Sequence, residues 1–350
     1  MTQLDILIPF GLPPAELSAD LLKELQSPAL AILTSRAKAG ASSREDFADF
    51  TRALPHETWL ARRFGIATAL EAMGSPPVAH AWMQSLGLNS GDGTWFVVQP
   101  VHLHIAQDHL VLTDPRQLML PEEESRALFD IAAPLAKETG KQLVYGDAGT
   151  WFLRADEWDA LQTSSPDAAS SHNIDIWMPS GKGERAWRKL QNEIQMHWFN
   201  HPLNEAREMR SAKPVNSLWL WGGAAPARLS HDYSDAFNLS GWLQGLGHAV
   251  GRHVHARSAS ELIATSPGTA LLVLDALQEH AFANDWGRWL EAMRELEDTW
   301  LGPLHDALRS GALNRLTLIL TNDKRLATFT ATRPSLRKFW VKPSLTGLRP

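Results

Sequence analysis

The spacing of hydrophobic positions changes repeatedly along the start of the chain, which predicts a mixture of strands and helices. Leu4–Pro9 is a short apolar run and predicts a buried strand. Leucines between Leu17 and Leu25 then recur at helical spacing. Further helices are predicted over residues 42–50, 57–73 and 79–86. The alternation is typical of a mixed α/β domain.

A loop signal, Asn-Ser-Gly-Asp-Gly at residues 89–93, separates this part from a stretch with a different pattern. The predicted elements that follow are strands over 95–112, a helix over 121–139 and two strands over 142–154. Together they predict a small α+β domain that is inserted into a larger α/β core. The predicted boundaries are 1–91 for the first part of the core, 92–165 for the inserted domain and 166–350 for the second part of the core.

An amphipathic helix is predicted over residues 184–199, where large apolar side chains recur on one face. His201 ends this pattern, because a residue that precedes proline avoids helical backbone angles. Asn204 is expected to cap a second, shorter helix over residues 205–210. A strand is predicted over residues 215–221, directly before paired glycines.

Two continuous apolar runs in the last third predict central strands of a parallel sheet. Thr269–Asp275 and Arg315–Asp323 are of the kind that is buried on both faces. The helical sequence between them, residues 286–309, is long enough for a crossover connection. Each run ends in a carboxylate, and open α/β sheets build their sites at the carboxyl ends of the strands. We therefore predict a doubly wound α/β sheet.

The composition excludes several classes of protein. The chain has 350 residues, 44% of them hydrophobic, so it can bury a substantial core. The net charge is -6, and no run of basic residues forms the stripe that nucleic acids require, so nucleic acid is not an expected partner. No apolar run is long enough to span a membrane, and the first ten residues do not form a signal peptide. We therefore expect a cytoplasmic protein with no membrane partner.

The absence of cysteine leaves His, Asp and Glu as the strong metal ligands. The chain also has 15 tryptophans against two tyrosines. The interpretation that we favour is that these tryptophans fill the core and domain contacts. An aromatic-lined ligand groove or a surface for a protein partner is the alternative.

The segment around residues 201–223 carries a series of residues in an ordered arrangement. The series is His201, Pro202, Asn204, Arg207, Lys213, Pro214, Asn216, Gly222 and Gly223. It resembles a segment of the archaeal-type cofactor-independent phosphoglycerate mutases, which belong to the alkaline phosphatase superfamily. Thr113–Arg116 and Gly245–Gly251 resemble two further motifs of that family. The resemblance extends to a bacterial group labelled as regulators of pathogenicity factors, E type, and implies an alkaline-phosphatase-like core with an inserted domain.

In that family two divalent metal ions and a serine nucleophile transfer a phosphoryl group. The family has Asp-Gly after its first strand, but this chain has Phe10-Gly11, and phenylalanine offers no metal ligand. At the nucleophile the family has Gly-Ser-Asp-x-Ala-His, and the nearest counterpart is Gly74–His80, one residue longer and without the acid. The resemblance makes Ser75 the candidate nucleophile. The alternative is that this serine only caps a helix.

Metal ligands of the family also follow its last core strands. Asp275 and His280 keep both residue types of the family's Asp-x-x-Gly-His, with one extra residue between them. The family's Gly-Asp-His is replaced by Asn322-Asp323-Lys324, and an ammonium group repels a metal ion. The resemblance therefore implies that Asp275, His280 and Asp323 are remnants of a decayed metal centre. Lys324 is a candidate fixed positive charge that holds a phosphate.

Our first hypothesis is a phosphoglycerate-mutase-like protein whose metal site has degenerated and which is a regulator or binds a small phosphorylated or carboxylated ligand. Guanidinium groups bind both ligand classes through two hydrogen bonds. The candidate ligand contacts are Arg116, Asn204, Arg207, Asn216 and Lys324. For Arg207 and Asn216 the alternative is that they only tie the connector to the sheet.

Two other hypotheses remain. One is an active metal-dependent phosphoglycerate mutase or phosphatase with rearranged ligands, and in that case we expect Mn²⁺ or Zn²⁺. Otherwise we expect no cofactor. The other is a tryptophan-rich scaffold that binds a protein partner.

Overall fold

The structure is a computed structural model that describes residues 2–38, 42–66, 74–106, 109–170 and 172–350. The chain divides into two compact units. Unit 1 comprises Met1–Asp49 and His231–Pro350, and unit 2 comprises Phe50–Ser230. The part of the predicted helix over 57–73 that follows residue 66 lies outside the described residues.

The strands follow one another through both units. They are β1 (Gln3–Ile8), β2 (Ser43–Asp46), β3 (Trp95–Val101), β4 (Leu103–Ala106), β5 (His109–Leu112), β6 (Gln142–Asp147), β7 (Thr150–Arg154), β8 (Ser217–Ala224), β9 (Asp235–Phe237), β10 (His253–Val254), β11 (Thr269–Val273), β12 (Arg315–Thr321) and β13 (Arg325–Thr332).

The α-helices are interspersed among these strands. They are α1 (Ser18–Glu24), α2 (Pro28–Ser35), α3 (Pro55–Arg63), α4 (Ala79–Ser85), α5 (Glu122–Glu138), α6 (Pro166–Ala169), α7 (Glu184–Phe199), α8 (Pro202–Met209), α9 (Leu243–Val250), α10 (Ala259–Ala264), α11 (Gln278–Phe282), α12 (Trp286–Leu296), α13 (Gly302–Ser310) and α14 (Arg333–Leu336). Within the described ranges, no helix has both the length and the apolar character that crossing a membrane requires.

Unit 1 is built, in its described part, on a seven-stranded sheet with the order β10-β9-β11-β1-β12-β13-β2. Its strands from β10 to β12 are parallel to one another, whereas β13 and β2 are antiparallel to their neighbours. β1, β11 and β12 lie at the centre, and their apolar side chains are buried, as continuous hydrophobic runs predict. The predicted fold class, α/β with a large and mostly parallel sheet, is confirmed.

One predicted element of unit 1 is wrong. Residues 42–50 do not form a helix, because Ser43–Asp46 forms the edge strand β2, which pairs with Arg325–Thr328 of β13. The sequence of β2 is entirely polar, so it has no hydrophobic period that distinguishes a strand from a helix. Charged side chains also suit an edge strand, since they discourage pairing with other chains.

Unit 2 contains an antiparallel sheet with the order β6-β7-β3-β8. Helices α5 and α7 contribute Leu128, Trp187 and Ile194 to the core, and Trp151 of β7 joins them there. β3 pairs with β7 on one side and with β8 on the other. Because β8 belongs to this sheet, unit 2 extends well beyond the boundaries 92–165 that the sequence suggested for an inserted domain.

Most of the tryptophans serve the interior. The buried ones are Trp82, Trp95, Trp151, Trp158, Trp177, Trp187, Trp198, Trp219, Trp221, Trp289 and Trp300. This confirms the interpretation that tryptophan mainly fills the core. Trp340 is the clearest exception, since it is 71% exposed.

Candidate functional sites

The carboxyl ends of β1, β11 and β12 meet at one edge of the sheet of unit 1, because these strands are parallel neighbours. Phe10 follows β1 and has a left-handed backbone with φ of 57°. Its side chain is 8% exposed, and its ring lies edge-on against Phe282 of α11, with 4.9 Å between the ring centroids. Trp289 Nε1 donates to the Phe10 carbonyl at 2.9 Å. Aromatic packing therefore occupies this edge at Phe10, the position for which the resemblance predicts a replaced aspartate.

The predicted remnant metal ligands Asp275, His280 and Asp323 have different surroundings. Asp275 is exposed and accepts a hydrogen bond from the Ser240 hydroxyl at 3.3 Å. His280 is half-buried in α11, and Asp323 is exposed in the turn between β12 and β13. In the described residues, one set of three His, Asp or Glu side chains has its ligand atoms within 4.8 Å of one another. Asp275, His280 and Asp323 are not part of that set.

Lys324 lies in the turn between β12 and β13 and forms an ion pair with Asp49, which follows β2. Its Nζ lies 2.7 Å from Asp49 Oδ1, and both side chains are exposed. The hydrogen bond and the charge of Asp49 raise the pKa of Lys324, so the ammonium group stays protonated. The turn itself is fixed by Asn322, whose Oδ1 accepts from the backbone N–H groups of Lys324 and Arg325. Pairing with Asp49 weakens the idea that Lys324 replaces a metal ion.

Ser75 lies in unit 2 beside a cavity of about 460 Å³. Its hydroxyl is 2.7 Å from Thr163 Oγ1 and accepts from the Gly222 N–H at 2.9 Å. Its own N–H donates to the Thr163 carbonyl at 2.7 Å. A serine nucleophile needs a neighbouring base or metal ion, and neither Thr163 nor Gly222 supplies one. These contacts explain Ser75 as a tie between the loop that contains Thr163 and strand β8. Its catalytic role stays a prediction.

Arg207 of α8 is 1% exposed and holds the connector to the rest of unit 2. Its guanidinium donates to the Lys213 carbonyl at 2.7 Å, to Glu124 Oε2 at 2.5 Å and to the Leu118 carbonyl at 2.5 Å. Glu124 also pairs with the more exposed Arg210. The buried guanidinium thus joins α8, α5 and the segment before α5.

Asn204 and Asn216 make hydrogen bonds to backbone groups. Asn204 lies inside α8 and donates to the carbonyls of Trp198 and Val215, each at 2.9 Å. Asn216 accepts from the Leu103 N–H and donates to the Leu103 carbonyl. Asn204 was expected to cap the helix, but His201 is the capping residue, because Pro202 starts α8 and the His201 ring accepts from the Leu203 N–H.

Arg116 lies at the surface of unit 2, where its side chain is 43% exposed. It pairs with Asp114 at 2.9 Å and with Asp167 at 3.0 Å. The side chain also lines a cavity of about 270 Å³, next to Gln99 and Gly149. Of the predicted arginine contacts, Arg116 rather than Arg207 is accessible to a ligand.

Behind this ion pair lies a buried pair of titratable residues that the sequence did not reveal. His56 and Glu57, in the first turn of α3, are 5% and 1% exposed. Glu57 Oε2 accepts from the Leu54 N–H at 2.7 Å and from the Ser165 hydroxyl at 2.6 Å. The local signal is only Pro-His-Glu at a helix start, and nothing in it indicates an approach to Asp167.

Burial favours the neutral form of both side chains, so it raises the pKa of Glu57 and lowers the pKa of His56. Loss of solvation, with the charge of Asp167, raises the pKa of Glu57 to about 8. Loss of solvation, with the charge of Arg116, lowers the pKa of His56 to about 3. At neutral pH and without a bound cation, the pair is therefore a protonated carboxyl beside a neutral imidazole.

Glu57 is expected to make the protein less stable as the pH rises from 6.5 to 8. The unfolded carboxyl ionises near pH 4.5 but the folded one only near pH 8, so unfolding releases a proton in this window. Titration of His56 makes the protein more stable as the pH rises from about 3 to 6.5. Above pH 6.5 His56 therefore does not oppose the effect of Glu57. At 1.36 kcal/mol per pH unit, the expected loss is about 2 kcal/mol, measured by urea denaturation in the presence of a chelator.

The matched control for this pH dependence is Glu57→Gln, which mimics the protonated carboxyl. The difference in free energy of unfolding between the two chains isolates the titration of Glu57 from that of other groups. We expect this difference to change by about 2 kcal/mol across the window. Parallel pH profiles for the two chains would show that Glu57 is ionised in the folded state.

No protein-family model matches the sequence. A stretch of 127 residues is 31% identical to a probable 2,3-bisphosphoglycerate-independent phosphoglycerate mutase of Geobacter sulfurreducens. The match covers 33% of this chain and 31% of that protein. The chain thus matches about a third of the length of this curated relative.

Among solved structures, the PH0037 protein from Pyrococcus horikoshii is similar to this chain, with a TM-score of 0.55 and 14% identity over 94% of this chain and 87% of that one. The cofactor-independent phosphoglycerate mutase from Thermoplasma acidophilum gives a TM-score of 0.47 with 13% identity, over 99% of this chain and 94% of that one. The likeness to the Pyrococcus protein shows a shared fold.

Proposed function

We propose that this chain is a cytoplasmic, phosphoglycerate-mutase-like protein that does not transfer phosphoryl groups and acts as a regulatory or small-anion-binding protein. The 31% identical stretch shared with a probable phosphoglycerate mutase supports the first part of the proposal. The ordered residues of the connector between α7 and β8 support it as well.

The observation that carries the proposal is the packing of Phe10 against Phe282 at the carboxyl edge of β1. A two-metal mechanism needs several anionic or imidazole ligands around each ion at this type of edge. Here the aromatic pair offers none, and Asp275 and Asp323 are exposed. A metal pair held at this edge would need ligands other than Phe10 and Phe282.

In this proposal Arg116 receives the anion, while Arg207, Asn204 and Asn216 hold the connector in place. Arg116 combines an exposed guanidinium with an adjoining cavity, and a carboxylate or phosphate matches its planar donors. Such an anion competes with Asp114 and Asp167 for the same group. We therefore expect weak binding, with a Kd on the order of 1 mM.

We expect the purified protein to show no interconversion of 3- and 2-phosphoglycerate above background, with or without added Mn²⁺ or Zn²⁺. The physical reason is that the strand ends of unit 1 present aromatic side chains where metal ligands are needed. The measurement is a coupled enolase assay, accompanied by hydrolysis of a chromogenic phosphate monoester. Turnover that disappears in Ser75→Ala would overturn the proposal and favour an active enzyme.

The anion-binding part is tested separately by calorimetric titration with 3-phosphoglycerate and with citrate. Arg116→Gln should abolish the binding, whereas Arg126→Gln, which removes an exposed arginine that is paired with Glu122, should leave it unchanged. Equal binding by the wild-type protein and Arg116→Gln would place the anion elsewhere.

A further inference from the structure

An imidazole and two carboxylates meet in unit 2, directly beside the Arg116 guanidinium that receives the anion in the proposed function. The ligand atoms of His56, Glu57 and Asp167 all lie within 4.8 Å of one another. His56 and Glu57 are buried and Asp167 is half-buried. In the part of the chain that the structure describes, this is the one group of three such side chains with that geometry.

We propose that His56, Glu57 and Asp167 bind one divalent transition-metal ion, Zn²⁺ or Mn²⁺, in a structural site. Imidazole nitrogen together with carboxylate oxygen suits these ions, whereas Mg²⁺ prefers oxygen ligands only. The ligand atoms of a tetrahedral zinc site lie roughly 3.4 Å apart, whereas those of the three side chains lie within 4.8 Å of one another. Side-chain rotations that move the ligand atoms by about 1 Å therefore bring them into a common coordination sphere.

The charges around the site favour a divalent cation. Three carboxylates, Glu57, Asp114 and Asp167, share one guanidinium, that of Arg116. With all three carboxylates ionised and His56 neutral, their charges and that of Arg116 sum to about -2, which one divalent ion neutralises. Without an ion this charge is avoided by protonation of Glu57, and a bound divalent ion takes the place of that proton.

Hydrogen bonds from neighbouring groups orient the carboxylates of Glu57 and Asp167. In known metal sites, groups that do not touch the ion orient its ligands in the same way. The Leu54 N–H and the Ser165 hydroxyl both donate to Oε2 of Glu57, and we assign Oε1 as the ligand atom. Arg116 holds Asp167 through both of its oxygens, each of which has a second lone pair that an ion can accept. Both orienting contacts are therefore compatible with a bound ion.

A bound ion would connect parts of unit 2 that are distant in sequence. Glu57 belongs to the start of α3, and Asp167 belongs to α6, whose first turn is capped by the Ser165 hydroxyl. Arg116 ties Asp167 to the segment between β5 and α5. A link of this kind stabilises the folded chain, because the unfolded chain does not hold the three ligands together.

The test starts from chain freed of metal with a chelator, which is then titrated with ZnCl₂, MnCl₂ or MgCl₂. We expect about one Zn²⁺ per chain by elemental analysis after dialysis and a rise in Tm of at least about 3 °C for Zn²⁺ or Mn²⁺, and no rise for Mg²⁺. His56→Gln and Glu57→Gln should each lower the Zn²⁺ affinity at least about 100-fold, since each removes one of three ligands. Glu57→Gln keeps the shape of the protonated side chain, so we expect this variant to fold. Its Tm without metal checks that it does.

The matched controls are Asp275→Asn and His280→Gln, which remove potential ligands in unit 1 and should leave Zn²⁺ binding unchanged. Binding that survives in both His56→Gln and Glu57→Gln would mean an adventitious ion only and would overturn the inference. Binding that is lost in Asp275→Asn or His280→Gln would place the ion in unit 1, and no binding at 100-fold excess metal would exclude the site. None of these measurements involves phosphoryl transfer, so the inference and the proposed function fail independently.

Discussion

Replacing Arg207 by alanine is expected to lower the free energy of unfolding by about 3–5 kcal/mol. The guanidinium is 1% exposed, and its removal takes donors from Glu124 and from the carbonyls of Leu118 and Lys213. Buried acceptors that lose their partner keep the full cost of desolvation. Urea denaturation followed by tryptophan fluorescence measures the loss.

Arg210→Ala is the matched control for Arg207→Ala, because Arg210 pairs with the same carboxylate from a position that is 49% exposed. An exposed ion pair contributes little, so we expect a loss below about 1 kcal/mol. The comparison separates a structural arginine from a ligand-binding one. If Arg207→Ala is as stable as Arg210→Ala but fails to bind an anion, the structural role that we assign to Arg207 is wrong.

The elements that the sequence predicted well are those with a strong local signal. The helix expected over residues 184–199 is α7, Glu184–Phe199, since one apolar face defines its period and His201-Pro202 defines its end. β11 and β12 were recognisable because an uninterrupted apolar run has few uses other than a strand buried on both faces. The helix between them predicted a crossover connection and hence parallel strands, whereas the position of β1 between the two was not predicted.

The elements that the sequence did not predict depend on distant partners. Ser43–Asp46 carries no apolar period and becomes a strand only because β13 offers it a free edge. The extent of unit 2 depends on the pairing of β3 with β8, which no local pattern records. The same holds for the buried cluster, since the Ser165 hydroxyl that meets Glu57 is 108 residues away in the chain.

The candidate site in unit 1 was predictable in part. The motif resemblance predicts that Phe10 stands where the family has a metal-binding aspartate. The sequence did not indicate what packs against Phe10, because Phe282 comes from α11 and Trp289 from the next helix. A replaced ligand leaves open whether a pocket remains, and the contacts of Phe10 show that the space beside it is filled.

Restoring the acid by Phe10→Asp is therefore expected to destabilise unit 1 by about 4 kcal/mol or more and to leave phosphoryl transfer absent. Removing a buried phenylalanine costs about 3–5 kcal/mol, and a carboxylate among Phe282 and Trp289 adds a desolvation cost. Aspartate tolerates the left-handed backbone at this position better than phenylalanine does, but that gain is only about 1 kcal/mol. Urea denaturation measures the net loss.

Phe10→Asn is the matched control, because it suits the same backbone and carries no charge. We expect it to be less destabilising than Phe10→Asp at pH 7, and the difference measures the cost of the buried charge alone. Calorimetry with Mn²⁺ completes the test. A Phe10→Asp chain that is as stable as wild type, binds Mn²⁺ at this edge and gains phosphoglycerate mutase activity would show that Asp275, His280 and Asp323 still form a latent metal centre. In that case the aromatic packing of Phe10 would have to be interpreted as a reversible cover and not as the loss of the site.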